Sequence, residues 1–286
     1  MKRESSHKKI NRSKFGNIFV LLFLLLICIF MFVPMWYTII TSFKPAEEMF
    51  IFPPKMYVIN PTFINFKNLS LLLSNLRVPF SRYIFNSIFI SVAKTIIGVF
   101  FGAMAAYAFA KHEFPAKKIF WNLIIITILF AGGVTELPTY IIKAALGLID
   151  TIWVFLLPAV ATPLYMFLMK QFISQIPESL LEAARIDGAN EFTTFFHVVL
   201  PNIKPAWMTV AVLMFQSSWA EGSSSVIFTE NLKLLPTVLN QIGTGSLSRQ
   251  GVSAASALIM LIPPVLAFIF TQSRMMQTMA YSGIKD

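Results

Sequence analysis

The chain has 286 residues, of which 56% are hydrophobic and only 13% charged, with a net charge of +10 and a mean hydropathy of +0.71. A water-soluble domain usually carries about 25% charged residues, so this chain lacks the charge to cover a surface facing water. Its basic residues flank apolar runs and form no basic, aromatic-interleaved stretch, which excludes a nucleic-acid surface, and the lone Cys28 excludes an intramolecular disulfide.

The chain opens on a basic stretch, Met1 to Lys14, followed by the apolar run Phe15 to Val33. The charge order is that of a signal peptide. The run is long, however, no small-x-small cleavage site follows, and further apolar runs come later, so it reads as an uncleaved first helix. Six segments approach the roughly 20 apolar residues that a bilayer core of about 30 Å requires. They lie at about 17–42, 84–110, 118–141, 152–172, 206–222 and 253–273. Each is expected to be helical, because an open strand in lipid leaves its backbone groups unpaired. The predicted fold class is therefore all-α integral membrane, with six transmembrane helices. One transmembrane domain spans 17–273, between a basic N-terminus (1–16) and a tail (274–286).

Orientation follows from the distribution of Lys and Arg. With the N-terminus inside, the cytoplasmic pieces hold fourteen of the 23 basic residues: Lys2, Arg3, Lys8, Lys9, Arg12, Lys14, Lys111, Lys117, Lys118, Lys170, Arg185, Lys204, Arg274 and Lys285. The outer pieces hold eight: Lys44, Lys55, Lys67, Arg77, Arg82, Lys143, Lys233 and Arg249. Both termini are thus expected in the cytoplasm. Trp36, Tyr37, Tyr83, Trp121, Trp153, Trp207 and Trp219 lie near span ends, where aromatic residues favour the interface; packing inside the bundle explains any one of them equally well. Pro158 and Pro163 interrupt the fourth span and Pro263-Pro264 the sixth, as in kinked or broken transporter helices, although proline is also common in ordinary membrane helices.

The connection from Ser174 to Pro205 is long and patterned. Pro177 suits a helix start, Glu178 and Glu182 favour the positive end of the helix dipole, and Ile176, Leu180, Leu181 and Ala184 make one apolar stripe. Gly188 is placed to end that helix, and Asn190 to cap a second one through Phe192, Phe195 and Phe196 that ends before Pro201 and Pro205. Two short helices meeting at a glycine elbow suit docking in a partner's groove. The alternative is an amphipathic hairpin on lipid headgroups, which the weakly basic polar face disfavours.

Glu182-Ala183-Ala184, three residues, Gly188, nine residues, then Val198-Val199-Leu200-Pro201 resembles the EAA loop of binding-protein-dependent ABC importer permeases. Only Val198 departs from the family's E-A-A-x3-G-x9-I-x-L-P. Segments along the chain are similar to the carbohydrate, maltose-permease branch: Asn86-Ser87, Ala105-Ala106-Tyr107-Ala108, Leu146 to Pro158 and IPESLLEAARIDGAN. Phe130-Ala131-Gly132-Gly133 and Pro138-Thr139-Tyr140 look like a subgroup associated with complex oligosaccharides. The tail Ser282 to Asp286 only approximates the family's G-A-V-K-G, and Trp219-Ala220-Glu221-Gly222 stands where W-N is usual.

The resemblance implies a type I ABC importer permease for an oligosaccharide in a bacterial cell membrane, to which abundant Phe, Ile, Lys and Asn add a compositional hint of an A/T-rich bacterial genome. It implies that Glu182, Ala183, Ala184, Asp187, Gly188, Leu200 and Pro201 couple the chain to an ATPase. The implied partners are a second homologous permease as heterodimer, two ATP-binding subunits and an extracellular solute-binding protein. The chain has no phosphate loop, nucleophile elbow or metal-ligand spacing among His7, His112 and His197, so no enzyme is expected; ATP and Mg belong to the ATPase, and no cofactor is expected on this chain. Candidate substrate-path residues are Lys94, Asn86, Tyr140, Trp219 and Glu221. Lys94 is a costly charge within a span, although it can snorkel or pair. Trp219 suits stacking on a sugar or the interfacial belt, and Glu221, like Glu136, has a solvated carboxylate as its ordinary reading. The alternatives are a permease of the same family for an amino acid or peptide, a transporter or channel working without ATP, and an intramembrane enzyme for which no constellation speaks.

Overall fold

The computed structural model describes residues 14–130, 132–222, 225–243 and 249–282. The basic residues Lys2, Arg3, Lys8, Lys9 and Arg12, as well as Ala131 and the end of the tail from Gly283, lie outside them. Every regular element among the described residues is helical.

Helix α1 (Lys14–Phe43) contains the most apolar stretch, with a mean hydropathy of 3.2 over its best window, none of it buried within the molecule. After a cap that includes the single turn Ala46–Met49 and helix α2 (Ile64–Ser74), α3 (Phe80–Lys111) runs the length of the molecule. Then come α4 (Lys117–Leu129), α5 (Gly132–Ala145), α6 (Trp153–Ala159) and α7 (Pro163–Ile173). The patterned connection holds α8 (Glu178–Ile186) and α9 (Glu191–Asn202). It leads into α10 (Lys204–Trp219), followed by α11 (Leu235–Gly243) and α12 (Gln250–Ser282).

Four stretches are long and apolar enough to cross a membrane, or six if each of two bent pairs counts as one span. The expected single span at 118–141 is instead α4 and α5, inclined by 117°. At 1.5 Å per residue the 13 residues of α4 reach only about 20 Å, and glycine and Pro138 follow, so a straight helix is locally disfavoured. The fourth span is broken where Thr162 is extended ahead of Pro163, as a residue before proline tends to be.

α3 is the axis of the bundle, packed on α6, α7 and α10. It does so with small residues: Gly98, Gly102, Ala103 and Ala106 are buried, and a Cβ on Gly98 would collide with the Met214 thioether of α10. A buried core of Met169, Ile173, Leu181, Val199, Ile203 and Val210 joins α7, α8, α9 and α10 at one end, here the elbow end. At the opposite, cap end, Leu69, Tyr83, Trp219, Leu235, Leu239 and Ala255 join α2, α3, α10, α11 and α12.

The cap end is tied by polar groups that the sequence shows only as family-like segments. The Asn86 amide donates to Asn231 O at 2.8 Å and Lys233 O at 3.1 Å, and the Leu235 N–H donates to Ser87 Oγ at 2.8 Å. Asn86 is thus taken up in anchoring the 229–235 segment onto α3. Asn86→Ala is expected to cost about 2 kcal/mol by removing both bonds and orphaning two carbonyls. A thermal melt of the purified protein checks this.

The same segment is clasped from α6's entry. Asp150 Oδ1 accepts the Phe228 and Thr229 N–H groups at 2.9 and 2.8 Å, and Oδ2 accepts the Thr229 hydroxyl at 2.5 Å. The Thr229 hydroxyl and N–H bonds hold the carboxyl below the ordinary aspartate value of 3.8. A depressed folded-state pKa stabilises the clasp above the ordinary value, and the contribution is lost as pH falls through the folded-state value. Amide exchange at Phe228 and Thr229, corrected for intrinsic rates, should lose protection only in that acid range; Asp150→Ala should be unprotected at neutral pH.

Candidate functional site

The elbow starts with α8, which begins at Glu178; Pro177, expected as its first residue, stands instead at the N-cap. Leu181 and Ala184 are buried against the bundle with Ile176. At its end the Gly188 N–H donates to Arg185 O and the Ala189 N–H to Ala184 O, at 3.0 and 2.9 Å. This pair is the Schellman pattern, and it puts Gly188 at φ +83°, where glycine has no Cβ penalty. Asn190 then caps α9, its Oδ1 accepting the Thr193 N–H at 2.8 Å. Within α9 the turn widens to a π-helix at Phe195–Val199 just before Pro201, which has no N–H to continue the ladder. An 81° bend then leads into α10, with the Trp207 indole donating to Leu200 O at 3.2 Å.

What remains exposed on this elbow combines large apolar side chains with polar ones. Leu180 is 42% exposed, Ile186 86% and Phe192 67%, with Glu182, Ala183, Asp187 and Gly188 also on the surface. Pro201 is exposed on the α10 side, while Leu200 is half-buried. The expected stripe is therefore divided: Ile176, Leu181 and Ala184 face the bundle, and Leu180 faces out.

The elbow is bound to the bundle at one carboxylate. Glu191 Oε2 accepts the Tyr107 hydroxyl at 2.8 Å and lies 3.3 Å from His112 Nε2, while Oε1 is 3.5 Å from Arg185. Arg185 also approaches Glu178 at 3.7 Å, and Lys111 donates to Ile176 O at 2.5 Å. The end of α3, the C-terminal turn of α8 and the start of α9 therefore meet at Glu191. Glu178 and Glu191 are both engaged inward, whereas Glu182 makes no ion pair among the described residues. This hub was not legible beforehand: Glu191 and Tyr107 are 84 positions apart, and a first-turn glutamate is an ordinary dipole partner.

The residues proposed for a substrate path come together only in part. The Lys94 ammonium pairs with Glu221, joining mid-α3 to the end of α10. Trp219 is buried at the edge of a cleft, stacked on Phe215, and its N–H is taken up by Met260 O at 2.9 Å. Tyr83 is likewise packed inside, whereas Trp36 and Trp153 stay exposed. Tyr140 lies apart from these, in a polar cleft of about 650 Å³ with Glu136, Thr139 and Lys143 of α5.

The family of proteins described as binding-protein-dependent transport system inner membrane components matches residues 11–275. The arabinooligosaccharides transport system permease protein AraQ of Bacillus subtilis is 26% identical over 93% of this chain and 94% of its own length. The trehalose transport system permease protein SugB of Mycobacterium tuberculosis is 30% identical over 72% of this chain and 77% of its own. Among solved structures, a bacterial ABC transporter involved in import of the acidic polysaccharide alginate shares the fold. It has a TM-score of 0.76 at 22% identity, covering 92% of this chain and 98% of that one.

Proposed function

The chain belongs to the family of binding-protein-dependent transport system inner membrane components, and from that premise we propose that it is the permease subunit of an ATP-driven importer for an oligosaccharide. The observation that carries the coupling half of this reading is the elbow. Its outward face, with Leu180, Ile186 and Phe192 exposed, is presented on a support held by Glu191 and Lys111, and Glu182 makes no ion pair among the described residues. A groove on an ATP-binding subunit would seat α8, with Glu182 making the polar contact and Ala183 allowing close approach. Movement of the seated helix would pass through Glu191 and Tyr107 into α3, and from α3 to α7 and α10, on which it packs most extensively. This reading places the elbow and both termini in the cytoplasm, in agreement with the charge distribution.

The substrate class is supported by the relatives' names, arabinooligosaccharides for AraQ and trehalose for SugB. The complex would contain a second, homologous permease, two ATP-binding subunits holding ATP and Mg, and a solute-binding protein outside. The polar cleft at Tyr140 is the more open of the candidate path regions; Lys94 and Glu221 would contribute by holding α3 to α10.

Reconstitution tests the whole reading. The complex in vesicles should take up an oligosaccharide only with ATP inside and the binding protein outside. Uptake by this chain in the absence of any ATP-binding subunit would overturn it.

A further inference from the structure

The cap between α1 and α2 exposes apolar side chains that the transport reading does not use. Phe50 is 59% exposed, Phe52 91%, Met56 51% and Tyr57 59%, all within eight residues, and Ile51 lies among them. The backbone on either side of Phe50, Ile51 and Phe52 is tied by hydrogen bonds. Glu48 accepts the Ile59 and Asn60 N–H groups at 2.9 and 2.8 Å, the buried Lys44 donates to Lys55 O at 2.5 Å, and Asn65 donates to Ser42 O and Lys44 O. The apolar groups are held outward on a fixed support.

Their level is set by α1. The Trp36 indole donates to Met56 O at 3.1 Å, and Trp36 precedes the end of α1 at Phe43 by seven residues, about 10 Å along the axis. The 30 residues of α1 extend about 45 Å, against a hydrocarbon core of about 30 Å. A centred α1 overhangs the core by roughly 7 Å at each end, which puts Trp36 and Met56 within about 3 Å of the core boundary. Segment 50–57 thus folds back beside α1, which is largely exposed up to Trp36 and packed inward from Tyr37 to its end, to the depth where aromatic side chains are most stable.

We propose that residues 50–57 are an interfacial anchor, with Phe50, Ile51 and Phe52 inserted among the phospholipid headgroups and upper acyl chains beside α1. The rigid support makes the insertion inexpensive, because the backbone is already ordered. The anchor would fix the depth and tilt of α1, which is joined to it through Trp36 and Lys44. The inference depends on membrane residence and is independent of the elbow's role.

The test uses the full chain with its co-purified subunits in phosphatidylcholine vesicles, with a nitroxide on Phe52→Cys in a Cys28→Ser background. A second label on Ile51→Cys guards against a local disturbance at one position. Collision with oxygen is expected to exceed collision with a water-soluble nickel chelate several-fold at both positions. Dominant collision with the chelate would show a loop in water. An immobile spectrum with little collision with either reagent would show a protein subunit covering the segment. Either result overturns the proposal.

Discussion

Glu191→Ala is expected to lower transport at least tenfold while the protein still inserts and purifies at normal yield. The carboxylate accepts a hydroxyl from α3 and faces Arg185 and His112, so its loss removes the link between the elbow and the axis of the bundle. A charge-assisted bond of this kind contributes about 2 kcal/mol, equivalent to a roughly thirtyfold change in the population of the correctly held elbow. The buried contacts of Leu181, Phe195 and Val199 remain, so the fold persists. Glu191→Gln keeps an acceptor for Tyr107 but loses the charge facing Arg185, and should fall between. Uptake measured beside ATP hydrolysis separates the outcomes, because a loosened link lets hydrolysis continue while transport falls. Equal loss of both would point to simple misfolding.

Gly188→Val should be more damaging than Gly188→Ala, and Gly188→Asn the mildest of the three. No neighbouring atom lies within 4 Å of a Cβ built on Gly188, so crowding is not the cause. The cost comes from φ +83°, which a residue with a Cβ adopts at about 1–2 kcal/mol, which a β-branched residue tolerates worst and which Asn tolerates best. Relief of that strain would open the Schellman turn and rotate α8 relative to α9, misdirecting Leu180 and Ile186. Recovery of the ATP-binding subunit should follow the order Asn, Ala, Val. A dependence on side-chain size or polarity without that order would assign Gly188 to direct contact instead.

Much of the elbow was legible because its determinants are local. Pro177, Gly188 and Asn190 each act on their own turn, and the structure shows the helix, the left-handed turn and the cap where those residues place them. The apolar runs were legible for the same reason, since length and hydropathy are properties of a segment. What escaped was pairing at a distance. Trp219 and Tyr83 have the composition of interfacial aromatics, and only the packing of α11 and α12 shows that they are enclosed. Asn86 reads as a polar residue within a span, and its two carbonyl partners lie about 145 positions away. Lys94 was suspect as a buried charge, but Glu221 as its partner depends on how α3 crosses α10. The break between α4 and α5 was obscured because an apolar run with glycine inside it looks continuous to a hydropathy window.

The most direct test of the account is recovery of an ATP-binding subunit on the tagged permease, comparing wild type with the double variant Leu180→Asp, Ile186→Asp. Both side chains are on the outward face of α8 and support none of the buried core, so the variant should fold and insert as wild type does. The ATP-binding subunit should copurify with wild type and fall at least tenfold with the variant, at unchanged permease yield. Equal recovery with both would contradict this, and α8 would then be a surface hairpin rather than the seat of coupling.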